Sequence, residues 1–489
     1  MRKILGEQLQ MGELDISAVA IELDSRDEIP QLLRGLQHIY TKAVVRRRVF
    51  DILMALVPPE VQIDTGRNGM DLWKILVLGT LRLNCKWDYD KLQEIANNHR
   101  TVRQMLGHGI LDVDARYPRQ TLCDNIRWFT REILESINTV VVEEGLRVAG
   151  IAKDAPLTAR CDSFVVETDV HFPTDINLLW DAARKVLKLA HRLGEGTGID
   201  GWRQAPHLLR KVKRLFRAVQ KLREKDKGKK NEASAECLSA TRNYIDAVGE
   251  LLQRAIDSVR PYRRNSAWCE HIVEQIMYFG GHGKTLIEQI ERRCFKGRTI
   301  AQEEKLFSLF EPYTEWIAKG KAGISQELGL RVAIVECTHG FVLHHQVMEQ
   351  ETDEQIAVEI IKDTKAQFKN LRSCSFDKGF HSPDNQNQLA AMLDFCVLPK
   401  KGKRDKTQRE RESSTRFKEL RRKHAAVESA INALENHGLD RVLDYGIDGF
   451  KRYVALSIVA RNIQLLGRML QAKELEALQR ERHACRVAA

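Results

Sequence analysis

Acidic residues in and beside strand-like segments are the side chains of this sequence that are best placed for chemistry. Asp162 lies within a stretch of strand-favouring residues, and Asp377 follows the short predicted strand Ser373–Phe376. Glu428 lies on a predicted helix, beside its apolar positions. A charged side chain in an apolar strand is costly unless it is paired or bound to a metal. Each acid is therefore a partner in an ion pair or a ligand, and the residues alone leave both interpretations open.

Three carboxylates that converge on one edge of a scaffold are suited to cutting and joining phosphodiester bonds. Two metal ions about 4 Å apart can serve both the attacking and the leaving oxygen of an in-line displacement. Mg²⁺ prefers hard oxygen ligands and keeps several waters, so two or three carboxylates are enough to hold it. Because the chain contains 67 Asp and Glu residues, a count of acids cannot select these three.

The chain of 489 residues has a net charge of +11. This excess favours a polyanionic partner, most often nucleic acid, although solubility alone would also explain it. Two basic regions are candidates for contact with a phosphate backbone, and solvated surfaces are the alternative. The candidates are Arg210, Lys211, Lys213, Arg214 and Arg217 in the first region, and Lys378, Lys400, Lys401, Lys403, Arg404, Arg421, Arg422 and Lys423 in the second.

The composition, with 43% hydrophobic and 30% charged residues, is that of a soluble globular protein rather than a disordered one. No apolar run is long enough to span a bilayer, and the start of the chain meets charge too soon for a signal peptide. The ten cysteines are scattered without a C-x-x-C pair. We therefore expect reduced thiols in a cytoplasm, with no zinc knuckle and no disulfide framework.

The N-terminal third is predicted to be helical. A polar arm with a helix that ends before Pro58-Pro59 precedes three short helices at 72–83, 89–97 and 102–106. These three resemble a helix-turn-helix neighbourhood, and a plain helical bundle fits the same periodicity. A single long helix is expected over 119–148, where apolar residues recur at helical spacing.

The remaining elements predict an α+β fold, a five-stranded mixed sheet flanked by helices and interrupted by a large helical insertion. In order they are a strand with Asp162, helices over 177–319 with a solvated connection near Gly228, a hairpin (330–336 and 340–347), a helix (353–368), a strand (373–376), a helix (383–391), a strand (395–399), a basic loop (400–411), a helix with Glu428 (416–437) and a last helix (453–475).

The expected domains are an N-terminal arm (1–60), a helical, DNA-binding domain (61–150), the first part of a catalytic core (151–180), a helical insertion (181–325), the rest of the core (326–470) and a charged tail (471–489).

Several blocks of the sequence resemble a known family. Residues 162–175 resemble the first-aspartate block of bacterial insertion-sequence transposases of the ISNCY type and its relatives, and residues 376–382 resemble their second-aspartate block. Val427-Glu428, followed by residues 437–441, resembles their glutamate block. Weaker similarity at 305–317, 327–332 and in the N-terminal helices extends the resemblance from about residue 60 to 470.

The resemblance implies an RNase H-like catalytic core in which Asp162, Asp377 and Glu428 form a DDE triad that binds two Mg²⁺ or Mn²⁺ ions. It implies double-stranded DNA as the partner, with cleavage at terminal inverted repeats and transfer of the freed 3′-hydroxyl to target DNA. Two element ends must be cut in register, so a homodimer or larger assembly is expected, with no membrane partner. A nuclease of this fold without strand transfer, or a non-catalytic DNA-binding descendant, is the alternative.

Two departures from the family pattern, and several neighbouring acids, bear on this assignment. The insertion separates the first acid from the hairpin, and the positions where relatives carry Tyr, Arg and Lys hold Arg421, His424 and Glu435. Glu167, Asp169 and Asp175 compete with Asp162 for the first position, and Asp175 is also suited to cap a helix that begins near Ile176. We expect His381 and His424 to be surface residues rather than contacts of the nucleophile.

Overall fold

The computed structural model describes residues 4, 13–57, 69–109, 112, 114–226, 233–318 and 326–488. Pro58-Pro59 and the connection predicted near Gly228 lie outside these residues. Two compact units make up the chain: Met1–Asp169 with Ile317–Ala489, and Val170–Trp316. The second unit is thus inserted into the sequence of the first.

The N-terminal part of the first unit is helical, as predicted. Its helices are α1 (Glu28–Thr41), α2 (Ala43–Met54), α3 (Leu72–Asn84), α4 (Tyr89–Asn98), α5 (Arg100–Met105), α6 (Arg119–Ile126) and α7 (Arg131–Val148). Every residue of α3 except Lys74 is buried, because its apolar residues surround the helix axis. The helix α3 is therefore a core helix, and in this trio only α4 and α5 present polar faces.

The single helix expected over 119–148 is wrong, because the chain breaks between α6 and α7. Thr130 adopts an extended backbone conformation, and its hydroxyl accepts a hydrogen bond from the N–H of Ile133 at 3.4 Å. A threonine that caps a new helix competes with continuation of the old one. Hydrophobic periodicity runs through such a break and cannot reveal it.

The second unit is built on four long helices. They are α8 (Asp175–Thr197), α9 (Ala205–Asp226), α10 (Ala235–Val259) and α11 (Ala267–Cys294). The cap expected at Asp175 is wrong by one residue, since the Thr174 hydroxyl accepts the N–H of Asn177 at 3.2 Å. Asp175 instead lies in the first turn of α8 and forms an ion pair with Arg293 at 3.0 Å.

The sheet is mixed, and it contains all five predicted strands. Its strands are β1 (Leu157–Thr168), β2 (Glu315–Ala318), β3 (Gln326–Cys337), β4 (Val342–Met348), β5 (Leu371–Phe376), β6 (Phe395–Val397) and β7 (Arg441–Val442). The order is β2-β3-β1-β5-β6, with β4 also paired to β3 and β7 to β1. The short strands β2 and β7 were not predicted, so the described part of the sheet has seven strands in place of five.

The end of β5 lies beside the middle of β1, because the two strands run in the same direction. β1 is antiparallel to β3 and parallel to β5, and β5 is parallel to β6. β3 and β4 form the predicted antiparallel hairpin. Residues that directly follow β5 therefore lie beside the middle of the longer strand β1.

The remaining helices cover the sheet and complete the first unit. They are α12 (Asp353–Gln367), α13 (Pro383–Met392), α14 (Lys406–Ser413), α15 (Thr415–His424), α16 (Ala426–Leu434) and α17 (Ile447–Ala488). A buried amide network ties α17 to the sheet, because Asn462 accepts the N–H of Val342 at 3.1 Å and donates to Asn138 at 2.7 Å. The helix α17 extends well beyond the predicted 453–475 at both ends.

Two expectations around the glutamate were wrong. The basic loop predicted over 400–411 is partly helical, because Asp405 and Gln408 form a capping box that begins α14. The helix predicted over 416–437 is interrupted at Ala425, and it passes through a π-helical segment at Glu435–Leu439 with non-helical backbone at Gly438. Glu428 consequently lies in the first turn of a new helix, α16.

Candidate active site

The parallel pairing of β1 with β5 brings Asp162 and Asp377 together. Cys161 pairs with Phe376, and each acid is the next residue along the chain. Strands that pair in a sheet lie about 4.8 Å apart. The two acids therefore occupy neighbouring positions at one edge of the sheet, although the whole second unit separates them in sequence.

Asp162 is half-buried, and the charges of several other carboxylates act on it. Its Oδ1 accepts a hydrogen bond from the N–H of Ser163 at 2.8 Å. Burial, followed by the negative charges of Asp377, Asp353 and Glu428, raises the pKa of Asp162 to about 6. The three predicted acids thus share one electrostatic environment, and Asp353 is a fourth acid in it.

The acids that compete with Asp162 are engaged in ion pairs. Glu167 lies 2.8 Å from Arg441, and Asp169 lies 3.8 Å from the same guanidinium. Asp175 pairs with Arg293 in the second unit. Within the described part of the chain, no cation lies within ion-pair distance of Asp162. The ion-pair interpretation accounts for the competitors and does not account for Asp162.

Glu428 is exposed at the start of α16, and this helix packs against β1. The preceding break leaves the N–H of Glu428 bonded to the carbonyl of Ala425 at 3.2 Å. Val427 is buried beside it. The apolar neighbour fixes the helix to the sheet while the carboxylate remains accessible at the edge that carries Asp162 and Asp377.

His424, at the end of α15, links the glutamate region to β5. Its Nδ1 lies 3.0 Å from the Ser375 hydroxyl, within hydrogen-bond distance. Burial lowers the pKa of His424, against the opposing charges of Asp377 and Glu428. His424 is half-buried and His381 is buried, so the expectation that both are surface residues was wrong.

Asp353 and Ser163 are the residues of this site that the sequence did not reveal. The Ser163 hydroxyl donates to Asp353 Oδ1 at 2.6 Å. Thr352 and Gln355 form a capping box at the start of α12, and Asp353 lies between them in sequence. An acid in the first turn of a capped helix is ordinary, so the sequence signal favours a structural role.

Two of the basic residues predicted near the acids, Arg404 and Arg421, lie close to Glu412, a buried carboxylate on α14. Glu412 accepts the backbone N–H of Lys400 at 2.9 Å and lies 3.0 Å from Arg404 and 3.8 Å from Arg421. These contacts hold the loop after β6 against α14 and α15. Among the exposed candidates, Lys378 follows Asp377 directly, and Lys401, Lys403, Arg422 and Lys423 are also exposed.

The basic candidates of the second unit lie on α9. All five are exposed: Arg210, Lys211, Lys213, Arg214 and Arg217. Residues three, four and seven positions apart share one side of a helix, so Arg210, Arg214 and Arg217 form a single stripe. Val212 and Val219 are buried and fix the opposite side.

The donor set of the acid cluster suits a hard divalent cation. Carboxylate oxygens are the ligands that Mg²⁺ and Mn²⁺ prefer, and a cation would offset the crowding of negative charge at Asp162. Among the described residues, however, no group of three or more His, Cys, Asp or Glu side chains is already arranged to hold a metal ion. The side chains of Asp377 and Glu428 are exposed, and they would have to turn toward Asp162 to share one ion with it.

A profile of a known protein family covers the later part of the chain. Residues 291–463 match the transposase DDE domain. The match is consistent with an insertion-sequence DDE transposase, as the sequence resemblance predicted, and it supports a transposase function. It includes Asp377 and Glu428 and begins after Asp162. Proteins with this domain act on DNA and generally use divalent metal ions.

No curated protein and no solved structure matches the chain. No helix in the described ranges is long and apolar enough to cross a membrane.

Proposed function

We propose that the chain is a DNA transposase that binds the inverted-repeat ends of its element, hydrolyses phosphodiester bonds there and transfers the 3′-hydroxyl ends to target DNA. The observation that carries this proposal is the β1–β5 register, which sets Asp162 beside Asp377. The influence of the Glu428 charge on Asp162 adds the third acid. The transposase DDE domain over residues 291–463 supports the same reaction class.

The catalytic core in this proposal is RNase H-like. Without β2 and β7, the strands follow the order β4-β3-β1-β5-β6, so the first strand of the chain is central and the second is antiparallel to it. The second unit enters between β1 and β3 and leaves this order intact. The fold alone does not decide the activity, because one fold serves many activities, and the acids carry the proposal.

Asp162, Asp377 and Glu428 would hold two Mg²⁺ or Mn²⁺ ions in this proposal. When bound, such ions supply an activated water and stabilise the leaving oxygen. The chain itself contributes a half-buried Asp162 that fixes one side of the site, and two exposed acids that would turn toward it when a cation binds. Ser375 and His424 anchor α15, and α15 in turn holds the start of α16 where Glu428 lies.

Basic residues around the site would position DNA through its phosphates, which carry no sequence information. Lys378 lies next to Asp377, and the loop after β6 with Lys400, Lys401, Lys403 and Arg404 is held by Glu412. On α15, Arg421, Arg422 and Lys423 provide further positive charge, and α9 offers a separate basic stripe. We place recognition of the element ends in the helical domain 61–150, where α4, α5 and α6 carry exposed polar residues.

A homodimer or larger assembly on DNA is part of the proposal, since transposition requires two element ends to be cut in register. The experiment that tests the function is incubation of the purified protein with Mg²⁺ and DNA that carries the element ends. Cleavage with strand transfer supports a transposase. Cleavage without joining favours a nuclease, and binding without cleavage favours a non-catalytic DNA-binding protein.

A further inference from the structure

We propose that Asp353 is a positioning residue of the active site, which holds the segment after Asp162 and the turn after Asp377 in one arrangement so that both acids face a shared cation site. This inference rests on the proposed function and adds a residue outside the predicted triad. It is carried by a hydrogen bond from Ser163 to Asp353 and by the close approach of the turn after Asp377 to the same carboxylate.

The first contact is with the segment after Asp162. Ser163 donates its hydroxyl to Asp353 Oδ1 at 2.6 Å, a short bond to a charged acceptor. The backbone N–H of the same residue donates to Asp162 Oδ1 at 2.8 Å. Ser163 therefore connects the two carboxylates, and the orientation of Asp162 depends on a residue that Asp353 restrains.

The second contact is with the turn after Asp377. The residues Lys378–Phe380 form a 3₁₀ turn, and a side-chain carbon built on Gly379 would lie 3.0 Å from Asp353 Oδ2. The turn thus approaches the carboxylate as closely as it does because residue 379 has no side chain. One oxygen of Asp353 accepts a hydrogen bond from β1, and the other lies close to the turn that follows β5.

Helix capping does not account for the position of this carboxylate. Thr352 and Gln355 satisfy the first turn of α12 by a capping box, in which both reciprocal hydrogen bonds are present. Asp353 is therefore not needed as the cap, although its charge still favours the helix N-terminus. Its charge also adds to the repulsion that raises the pKa of Asp162.

Residues that orient metal ligands without binding the metal commonly change metal affinity by about 10- to 100-fold when they are removed. For Asp353→Asn we expect about a tenfold weaker affinity for Mn²⁺, measured by titration of the purified full-length protein without DNA. Ser163→Ala removes the same hydrogen bond from the other side and is expected to weaken Mn²⁺ binding to a similar extent.

Two matched controls test whether a weaker Mn²⁺ affinity comes from the lost hydrogen bond. One controls for the loss of a negative charge, and the other for a change of side-chain size at residue 163. Glu354→Gln removes an exposed negative charge from the adjacent residue of α12. Ser163→Thr keeps the hydroxyl. Both variants are expected to bind Mn²⁺ with the wild-type affinity. The free energy of unfolding in the absence of Mn²⁺, measured for every variant, shows whether a loss of affinity is merely a loss of folding.

The inference is wrong if Asp353→Asn and Ser163→Ala bind Mn²⁺ like the wild type, or if Glu354→Gln weakens binding as much as Asp353→Asn. Asp377→Asn distinguishes this failure from that of the proposed function. If Asp377→Asn also binds Mn²⁺ like the wild type, the cation site itself is misplaced, and the proposed function and this inference fall together. If only Asp377→Asn loses Mn²⁺ binding, the cation site is correctly placed, but Asp353 does not position it.

Discussion

Asp162 and Asp377 are neighbours across two parallel strands, each one residue beyond the pair that Cys161 makes with Phe376. This relationship exists only in the folded chain, since α8 to α11 and the hairpin lie between the two acids in sequence. Two carboxylates at one sheet edge repel each other when both are ionised. The arrangement therefore has a cost in the absence of a cation, and that cost is measurable.

Asp162→Asn is predicted to stabilise the protein at pH 8 in the absence of divalent cations. The pKa of Asp162 is about 6 in the folded state and near 3.8 when the chain is unfolded, so its ionisation costs stability as pH rises from about 4 to 6. We expect a gain of about 3 kcal/mol in the free energy of unfolding at pH 8, and almost none below about pH 4. Urea unfolding followed by circular dichroism at both pH values measures it.

Added Mg²⁺ should make the wild type more stable than Asp162→Asn at pH 8, because the cation binds a carboxylate that the variant lacks. Asp384→Asn removes an exposed acid on α13 and serves as the control, with no expected pH-dependent gain. If wild type and Asp162→Asn had the same free energy of unfolding at both pH values, the neighbouring negative charges would not be destabilising Asp162.

Neutralising the basic stripe on α9 should reduce the salt dependence of DNA binding. Each phosphate contact contributes about 0.9 to the slope of log affinity against log salt concentration. A triple variant is therefore expected to lower the magnitude of the slope by about 3. It combines Arg210→Ala, Arg214→Ala and Arg217→Ala. Arg480→Ala with Arg482→Ala, two exposed residues near the end of α17, is the control. An unchanged slope in the α9 variant would mean that this stripe is a solvated face.

The crossing of α1 and α17 should be intolerant of any side chain at residue 467. A side-chain carbon on Gly467 would lie 1.8 Å from the backbone carbonyl oxygen of Gln31, which cannot move without displacing α1. Gly467→Ala is expected to reduce the free energy of unfolding by about 2 to 3 kcal/mol, as overpacking does. Gly281→Ala is the matched control, since nothing lies within 4 Å of its added carbon and alanine favours helix by about 0.5 to 1 kcal/mol. Chemical unfolding of both variants tests the contrast, and equal effects would contradict the close crossing.

Glu144 on α7 should stabilise the fold at neutral pH and lose that effect in acid. Burial acts to raise its pKa, but hydrogen bonds from Arg147 and His38 outweigh burial and lower it to about 2. The contribution is therefore complete above the unfolded pKa of 4.5 and disappears as pH falls toward 2. After allowance for solvent screening, we expect Glu144→Gln to cost about 1 to 2 kcal/mol at pH 7.

The neighbouring Glu143 provides a control for this prediction. It pairs with Arg48 at 2.7 Å, and both side chains are exposed, so Glu143→Gln should change stability by less than about 0.5 kcal/mol. Unfolding free energies from pH 7 to pH 3 measure both variants. A constant difference between wild type and Glu144→Gln over this range would rule out the lowered pKa.

The strands were predictable because their residues favour extended structure over several positions in a row, as around Asp162 and in 373–376. The end of β5 at Asp377 was predictable for the same reason. The pairing of Cys161 with Phe376 was not, since register between strands distant in sequence depends on the packing of the whole sheet. The triad could be chosen from the sequence only through its resemblance to a family.

Local breaks were the features that periodicity concealed. Thr130 caps a new helix inside an apolar pattern that continues across it, and Ala425 separates two helices although alanine itself favours helix. Asp353 was missed because an acid in a first helical turn is common, and only the folded chain places Ser163 within hydrogen-bond distance. Such features depend on tertiary contacts and leave little trace in a single sequence.

The central claim is that Asp377 acts with Asp162 and Glu428 in cutting and joining DNA. Its most direct test is strand transfer by Asp377→Asn in Mg²⁺ with DNA that carries the element ends, compared with wild type and with the control Asp384→Asn. DNA binding is measured in parallel to show that each variant is folded. We predict at least about a 100-fold loss of joining for Asp377→Asn, as for removal of a group that acts on the transition state, with unchanged DNA binding and an active control. Joining by Asp377→Asn at the wild-type rate would contradict the account.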